Sequence, residues 1–398
     1  MLEKYNYGIH VCGRCGKCIT GKNGYVCPVW VEMGRFEEYC AKGRNSIARE
    51  ILDGNLNYTP ELVDSAYTCL GCNSCFIQCG KTNHDTHELC INETKIMQAM
   101  RADIVRAGME PESLQAVDAS VDETHNPFGE AAAKRTDWAK DLNLPAKGET
   151  VYFAGCYAAY RNPKIAKATV AILQNGGIDV AYLGEDEWCC GVPQFADGNV
   201  ELAEKMILHN VEALKAAGVK RVVTSCAGCF HALNTEYPEI VGELPFEVVH
   251  SSEVIADLAE TGKIKLDKKI EKTITYHDPC HLGRHENVYD APRAVLSAIP
   301  GAELVEMPRN KDTAWCCGGG SIVSTVFPDL TKDIASGRVA EAKATNADIL
   351  VSACPSCENN LTPGARREKM PVYDLSVIVA EAMGLDLNKP AKKEAVTV

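Results

Sequence analysis

The second half of this chain carries the same five cysteines in the same order twice, and no other feature restricts its fold so tightly. Cys156 is answered by Cys280, Cys189-Cys190 by Cys316-Cys317, and Cys226 with Cys229 by Cys354 with Cys357. The neighbours agree as well, since Trp188 and Trp315 precede the adjacent pairs and Gly191 and Gly318 follow them. The offset between partners drifts by only a few residues, which marks an internal duplication. From Thr150 onward, short β-rich runs at 151–154, 180–183, 221–224, 273–276 and 348–352 alternate with amphipathic helical stretches. That alternation predicts α/β units with parallel strands. It sets Cys156, Cys226 and Cys354 just beyond strand ends, where open α/β sheets collect their sites. The helix after each Cys-x2-Cys is expected to aim its positive end at the thiolates and lower their pKa.

Composition says where such thiols can work. The 398 residues are 46% hydrophobic and 24% charged, an ordinary globular balance, but 20 are cysteine. The opening residues lack a basic stretch followed by an apolar one, and no run of 18 apolar residues occurs, so neither a signal peptide nor a direct membrane span is expected. A cytoplasmic, reducing location follows, with membrane association only through a partner subunit. There cysteines ligate metals or react instead of pairing as disulfides. The net charge of −13 argues against nucleic acid and against an anionic lipid surface.

Residues 1–108 hold a different pattern. Stretches 36–53 and 89–107 read as helices, and no alternating strand pattern is convincing there. Cys12-x2-Cys15-x2-Cys18 is followed by Cys27-Pro28, and Cys69-x2-Cys72-x2-Cys75-x3-Cys79 forms a second run. Two-residue spacings let three thiolates wrap one corner of a cuboidal cluster, and in two-cluster ferredoxins the fourth thiolate comes from the other run. Cys12, Cys15, Cys18 and Cys79 are therefore assigned to one [4Fe–4S] cubane, and Cys69, Cys72, Cys75 and Cys27 to a second. Gly13, Gly16 and Gly71 allow close backbone approach. Zinc is the rival, but three evenly spaced cysteines occurring twice suit it poorly. Eight residues separate Cys18 from Cys27, and Gly80 stands where a proline is usual. Local pairing of Cys27 and Cys79 therefore stays open beside the crossed one.

Five thiols in each later set exceed what one cubane or one zinc needs, and an adjacent pair cannot easily occupy two corners of a regular cube. An unusual cluster is expected. Here the sequence resembles a known family. Both halves look like the cysteine-rich CCG domain, and the whole order resembles the D-type subunit of heterodisulfide reductase, in which a ferredoxin-type module precedes two such domains. The resemblance covers the chain to about residue 380. It implies a noncubane [4Fe–4S] cluster on each five-cysteine set, with a disulfide substrate reduced between them. All ten positions are present, which keeps disulfide chemistry open. The motif marks a superfamily and does not choose between a small disulfide, a protein disulfide or another partner.

The expected architecture is therefore α+β and multidomain: a helical ferredoxin-like domain at 1–108, a linker or wrapping arm at 109–148, and two duplicated α/β CCG domains at 149–272 and 273–398. The last two are expected to be related by a pseudo-twofold axis, and the tail from 388 to be disordered. No G-x-G-x-x-G follows a strand, so electrons must come from a partner, whether a flavoprotein, an iron–sulfur protein or a membrane cytochrome. Two functions compete: a subunit that reduces or forms a disulfide, and a relay subunit of a quinone-, acyl-CoA- or hydroxyacid-linked complex. His281, beside Cys280, is the candidate proton donor for a product thiolate; His277 suits packing or support of the site equally well. Cys40 and Cys90 are expected as inert thiols on helices. Trp188 and Trp315 suit shielding or core packing, residues 184–187 a solvated acidic turn, and Gly318-Gly319-Gly320 lacks the Lys-Ser/Thr of a phosphate cradle.

Overall fold

A computed structural model describes residues 1–320 and 322–387, so the tail expected from residue 388 lies outside the described residues. The first 108 residues are mostly helical, with α1 (Ala41–Leu52), α2 (Pro60–Tyr67), α3 (Ser74–Cys79) and α4 (Glu93–Arg106). A minimal antiparallel hairpin joins β1 (Thr20–Gly21) to β2 (Gly24–Tyr25), too short to leave an alternating pattern. The helix expected over 36–53 is interrupted. A 3-10 turn at Glu37–Tyr39 folds back over Gly43, whose position has no room for a Cβ beside the Glu37 carbonyl, and α1 starts only after the extended Cys40. The helix expected from 89 starts at Glu93, because Asn92 caps it by accepting from the Lys95 amide at 3.1 Å. Tyr67, Ile96, Met97, Met100 and Ile104 close a core between α2 and α4.

The arm at 109–148 holds more structure than its irregular pattern suggested. It contains α5 (Glu112–Thr124) and a 3-10 helix at Ala132–Ala139. Val121 of α5 packs on Leu202 and Met206, and Trp138 packs against Tyr152 and Tyr182. The arm is thereby built into the core of the first repeat.

Two parallel sheets follow. The first orders β3 (Thr150–Phe153), β4 (Arg221–Thr224) and β5 (Glu247–His250), with Val151 opposite Val222 and Val222 opposite Val248. The second orders β7 (Ala302–Val305), β6 (Lys272–His277), β8 (Ile349–Ser352) and β9 (Val372–Asp374). The run at 180–183 forms only a bridge between Ala181 and Val151, yet it lies on the side of β3 that β7 takes beside β6. With that substitution the two strand orders are the same. The strands β5, β7 and β9 were not legible in the sequence, since each is short and partly exposed. By contrast β8 is buried along its whole length, and each of Ile349, Leu350 and Val351 contributes about 1.5–3 kcal/mol by leaving water.

Helices cover both sheets. The first repeat has α6 (Gly155–Tyr160), α7 (Pro163–Asn175), α8 (Val192–Asp197), α9 (Val200–Ala216), α10 (Ala227–His231) and α11 (Ser251–Glu260). The second has α12 (Asp290–Ser297), α13 (Pro328–Lys343), α14 (Pro355–Arg367) and α15 (Leu375–Ala382). Helix α7 packs on α15 and α11 on α12, so one continuous apolar core spans both repeats. This packing turns the carboxyl ends of β3, β4, β6 and β8 toward a common interior.

Candidate functional site

The loops after those strands carry the repeated cysteines inward. Cys226 and Cys354 stand at the N-caps of α10 and α14, and Cys156 lies in the first turn of α6. Gly155 adopts φ +69, and a Cβ there would sit 2.7 Å from the Cys229 sulfur, so only glycine lets this backbone approach the thiols. All ten cysteines of the two sets line one cavity of about 90 Å³. None of the ten forms a disulfide. A larger surface cavity of about 960 Å³, lined by residues such as Lys164, Lys268 and Glu381, contains no cysteine and stands apart from this chemistry.

The ten thiols form an unbroken line of contacts. On one side Cys156 meets Cys189, Cys189 meets Cys190, Cys190 meets Cys229, and Cys229 meets Cys226. Cys226 then meets Cys354 of the other repeat. From there the line runs through Cys357, Cys317 and Cys316 to Cys280. The second half of the line repeats the first in reverse. Along the whole line every third thiol, Cys190, Cys354 and Cys316, is lowered and the others are raised. Bonds from Cys189 and Cys229 hold the Cys190 thiol well below its usual pKa, and Cys280 with Cys317 does the same for Cys316. Cys354 is lowered by Cys226 and Cys357. The thiols that supply those bonds, such as Cys229 and Cys357, are pushed up by their thiol neighbours and by burial. The uniform lowering expected from helix N-termini is therefore overridden, because burial and thiol neighbours outweigh a helix end. A dense set of buried, mutually bonded thiols is suited to soft metal ions.

Side chains around the line complete the site. Arg135, from the arm, reaches the Cys156 sulfur at 3.4 Å and pairs with the fully buried Glu187 at 2.8 Å. Glu187 also accepts the Ala154 and Gly155 amides at 2.9 Å, fixing the loop that presents Cys156. The acidic stretch at 184–187 is thus an exposed turn except for this one inward residue. Cys189 is held from its backbone by His125, whose carbonyl accepts its amide at 2.9 Å. Trp188 is sandwiched between His125 and His209 at 3.4 and 3.5 Å, while Trp315 is covered by Arg309 and donates to the Tyr25 carbonyl at 2.7 Å. The glycine triplet serves close packing: Gly320 faces Leu70 of the helical module and the Gly319 amide donates to the Cys317 sulfur at 3.4 Å.

Of the two histidines beside Cys280, His281 lines the cavity and His277 does not. Burial and then His231 lower the His281 imidazole to about 4, so it is neutral, and its ring stacks on His231 at 5.2 Å. His277 is fully buried behind the sulfurs, with Arg338 donating to its Nδ1 at 3.1 Å and its Nε2 unpartnered. One of its ring nitrogens lies within 4.8 Å of the Cys317 and Cys357 sulfurs. Two hydroxyls that sequence reasoning missed also line the cavity. Tyr157 and Ser356, one from each repeat, stand as neighbours there. Their positions next to Cys156 and inside Cys354-x2-Cys357 were the available signal.

The eight cysteines of the two N-terminal runs fall into two neighbourhoods. Burial pushes Cys27 up to about 12, and its thiol neighbours are Cys72 and Cys69; Cys75 has Cys72, Cys69 and Cys27 around it. Cys79 is raised by burial with Cys12 and Cys15 beside it, and Cys18 is raised to about 12 by burial, with Cys40 and Cys12 as its thiol neighbours. Cys15 is exposed. Cys72, by contrast, faces Cys316 and Cys280 of the second repeat. Arg284 pins this junction, donating from Nε to the Cys72 carbonyl at 2.6 Å, and His285 bonds the Gly71 carbonyl at 3.0 Å. Cys40 is buried at a helix cap, donating to the Glu37 carbonyl at 3.1 Å, whereas Cys90 is half-buried in a loop and not on a helix. The helix expected there starts three residues later.

With this geometry in place, comparison with known proteins is specific. The family model "CCG: Cysteine-rich domain" matches residues 150–234 and 274–362, one match for each repeat. The D-type subunit of dihydromethanophenazine:CoB–CoM heterodisulfide reductase from Methanosarcina barkeri is 40% identical, with 95% of this chain and 94% of that protein covered. EtfAB:quinone oxidoreductase of Syntrophomonas wolfei is 29% identical over 88% of this chain and 50% of its own length. A crystal structure of a hypothetical protein from Helicobacter pylori superposes with a TM-score of 0.51 at 11% identity, covering 76% of this chain and 59% of that one. This last likeness concerns the fold alone.

Proposed function

Because the chain belongs to the family of D-type heterodisulfide reductase subunits, and so to iron–sulfur oxidoreductase subunits, we propose that it reduces, or in reverse forms, a disulfide in the cavity between its two five-cysteine sets. The observation that carries this reading is the unbroken line of ten thiols around a single cavity. In the reductive direction the substrate S–S bond breaks. Two electrons from a partner subunit and two protons are taken up, and two thiols leave.

The residues that would hold the metal follow the two neighbourhoods and the two halves of the line. Cys12, Cys15, Cys18 and Cys79 would carry one [4Fe–4S] cubane, and Cys69, Cys72, Cys75 and Cys27 the other. The closeness of Cys27 to Cys69 and Cys72, and of Cys79 to Cys12, supports crossed pairing. Cys156, Cys189, Cys190, Cys226 and Cys229 would hold one noncubane [4Fe–4S] cluster, and Cys280, Cys316, Cys317, Cys354 and Cys357 the other. When bound, the clusters supply electrons singly and present iron to sulfur. Exposed Cys15 marks the side from which a partner subunit would deliver electrons, and Cys72 the side that faces the second set. The matching strand orders and the reversed order of thiol contacts support a pseudo-twofold relation between residues 149–272 and 273–398, with 1–108 as the ferredoxin-type module.

The chain's own groups then manage protons. Among the described residues lining the cavity no carboxylate, lysine or arginine occurs, and Arg135 reaches the Cys156 sulfur from outside that lining. Tyr157, Ser356 and His281 are the proton-bearing side chains among the described lining residues besides the thiols. His281 is proposed to relay a proton to a leaving thiolate, giving one from one ring nitrogen while the other takes one up, because the neutral ring holds no proton to spare. Beside it His231 pairs with Glu286 at 2.5 Å. The relay reading is favoured by the cavity's small volume, about 90 Å³, and by the likeness to EtfAB:quinone oxidoreductase. Among the described residues no helix is long and apolar enough to cross a membrane, so any membrane contact would come through a partner. Replacing Cys189 and Cys316 together by alanine decides between the readings. Loss of disulfide turnover with residual electron uptake by the N-terminal module supports disulfide chemistry, and turnover at the normal rate removes it.

A further inference from the structure

Glu110, Asp118 and Asp197 lie away from the cysteines, where the arm and α4 meet the end of α8. One oxygen from each carboxylate falls within 4.8 Å of the other two. Asp118 and Asp197 are buried and Glu110 is half-buried. Both oxygens of Asp197 and Oε1 of Glu110 are enclosed without a hydrogen-bond donor. Arg101, whose charge bears on Asp197, gives its donors to the carbonyls of Ala66, Cys69 and Ala196 instead.

A second observation concerns a buried amide beside the acids. Gln194, 1% exposed, donates its Nε2 to Asp118 at 3.2 Å while its Oε1 is buried with no partner. Asp118 also accepts from the Asn199 side-chain amide. Three carboxylate oxygens and one amide oxygen are thus enclosed without a donor, and the amide belongs to a side chain bonded to Asp118. Neighbouring carboxylates out of water cannot all remain charged unless a positive group sits among them. Burial, with Asp118 and Glu110 adding to it, pushes Asp197 up to about 10.

We propose that Glu110, Asp118, Asp197 and Gln194 form a site for a hard divalent cation of the Ca²⁺ class, which staples the arm and the helical module to the first repeat. The donors are all oxygen, which suits hard ions and not iron–sulfur or zinc chemistry. The three carboxylate oxygens all lie within 4.8 Å of one another, close enough for one ion to reach each at about 2.4 Å. A protein-made oxygen cage of loose geometry suits Ca²⁺ better than Mg²⁺, which keeps several waters. The surroundings join the parts in question. The Tyr67 hydroxyl of α2 donates to the Asp197 carbonyl at 2.9 Å, and Gly198 presses on the Arg101 and Ala102 backbone of α4, where a Cβ could not fit.

The test uses the full chain purified anaerobically with its iron. Equilibrium dialysis against Ca²⁺ should find one ion per chain, and saturation should raise Tm by about 3 °C. Asp197→Asn should abolish both effects with iron content and visible spectrum unchanged. Glu110→Gln, at a half-buried position that tolerates the change, should weaken binding at least about tenfold. Absence of binding of Ca²⁺, Mg²⁺ or Mn²⁺ by the unaltered protein would overturn the proposal in favour of carboxyls sharing protons. Unchanged affinity in Glu110→Gln would overturn it as well, and decides the matter if Asp197→Asn does not fold.

Discussion

The thiol of Cys226 touches the thiol of Cys354, its counterpart in the second repeat. Within the line of ten, this contact joins the sets. Each residue stands at the N-cap of the helix after an inner strand of its sheet, so equivalent positions in the two repeats meet face to face. Replacing either by serine should leave the N-terminal cubane signals intact and abolish any EPR signal that depends on added thiol. Retention of that signal in both variants would place substrate elsewhere.

Arg284 ties the helical module to the second set through the Cys72 carbonyl at 2.6 Å. Arg284→Ala removes a charged hydrogen bond whose loss costs about 1–3 kcal/mol, and it loosens the Cys72–Cys316 junction. Turnover driven by a partner donor should fall by about tenfold or more with total iron unchanged. Stopped-flow reduction of the variant at the wild-type rate would show that the junction does not govern electron entry.

Arg135 and Glu187 form a buried pair that sets the Cys156 loop. Glu187→Gln strands the guanidinium and should destabilise the protein by about 3–5 kcal/mol, read as a lower urea midpoint. A double replacement, Arg135→Met with Glu187→Leu, should recover much of that loss while altering the signals of the first set. If the single variant unfolds at the wild-type midpoint, the pair contributes no net stability.

The eighteen ligand candidates and the repeat were legible because cysteine spacing is local and survives in order along the chain. Four of the five proposed strand runs form strands, since buried parallel strands leave continuous apolar stretches. Arg135, Arg284, Tyr157 and Ser356 were not legible, because what brings them to the thiols is the docking of the arm and the meeting of two repeats. Neither has a periodicity in sequence. The helix over 36–53 failed for a similar reason: a backbone contact at Gly43, invisible to apolar spacing, breaks it at Cys40.

The proposed crossed pairing makes Cys27 and Cys79 distinguishable. Cys27→Ser should perturb the cubane beside the second set and Cys79→Ser the one beneath exposed Cys15. Reduced-state EPR of the two variants should therefore lose different components. Loss of the component of Cys12, Cys15 and Cys18 on altering Cys27 would instead establish local pairing.

The central claim is that a disulfide is cleaved or formed between the paired cysteine sets. EPR of the anaerobically oxidised protein, carrying about sixteen irons on the proposed ligation, tests it most directly. With a thiol added, a paramagnetic signal absent from the thiol-free sample should appear, and it should vanish in the Cys189→Ala, Cys316→Ala double variant. Cubane signals alone, unchanged by any thiol or disulfide, would contradict the claim and leave the chain as an electron relay.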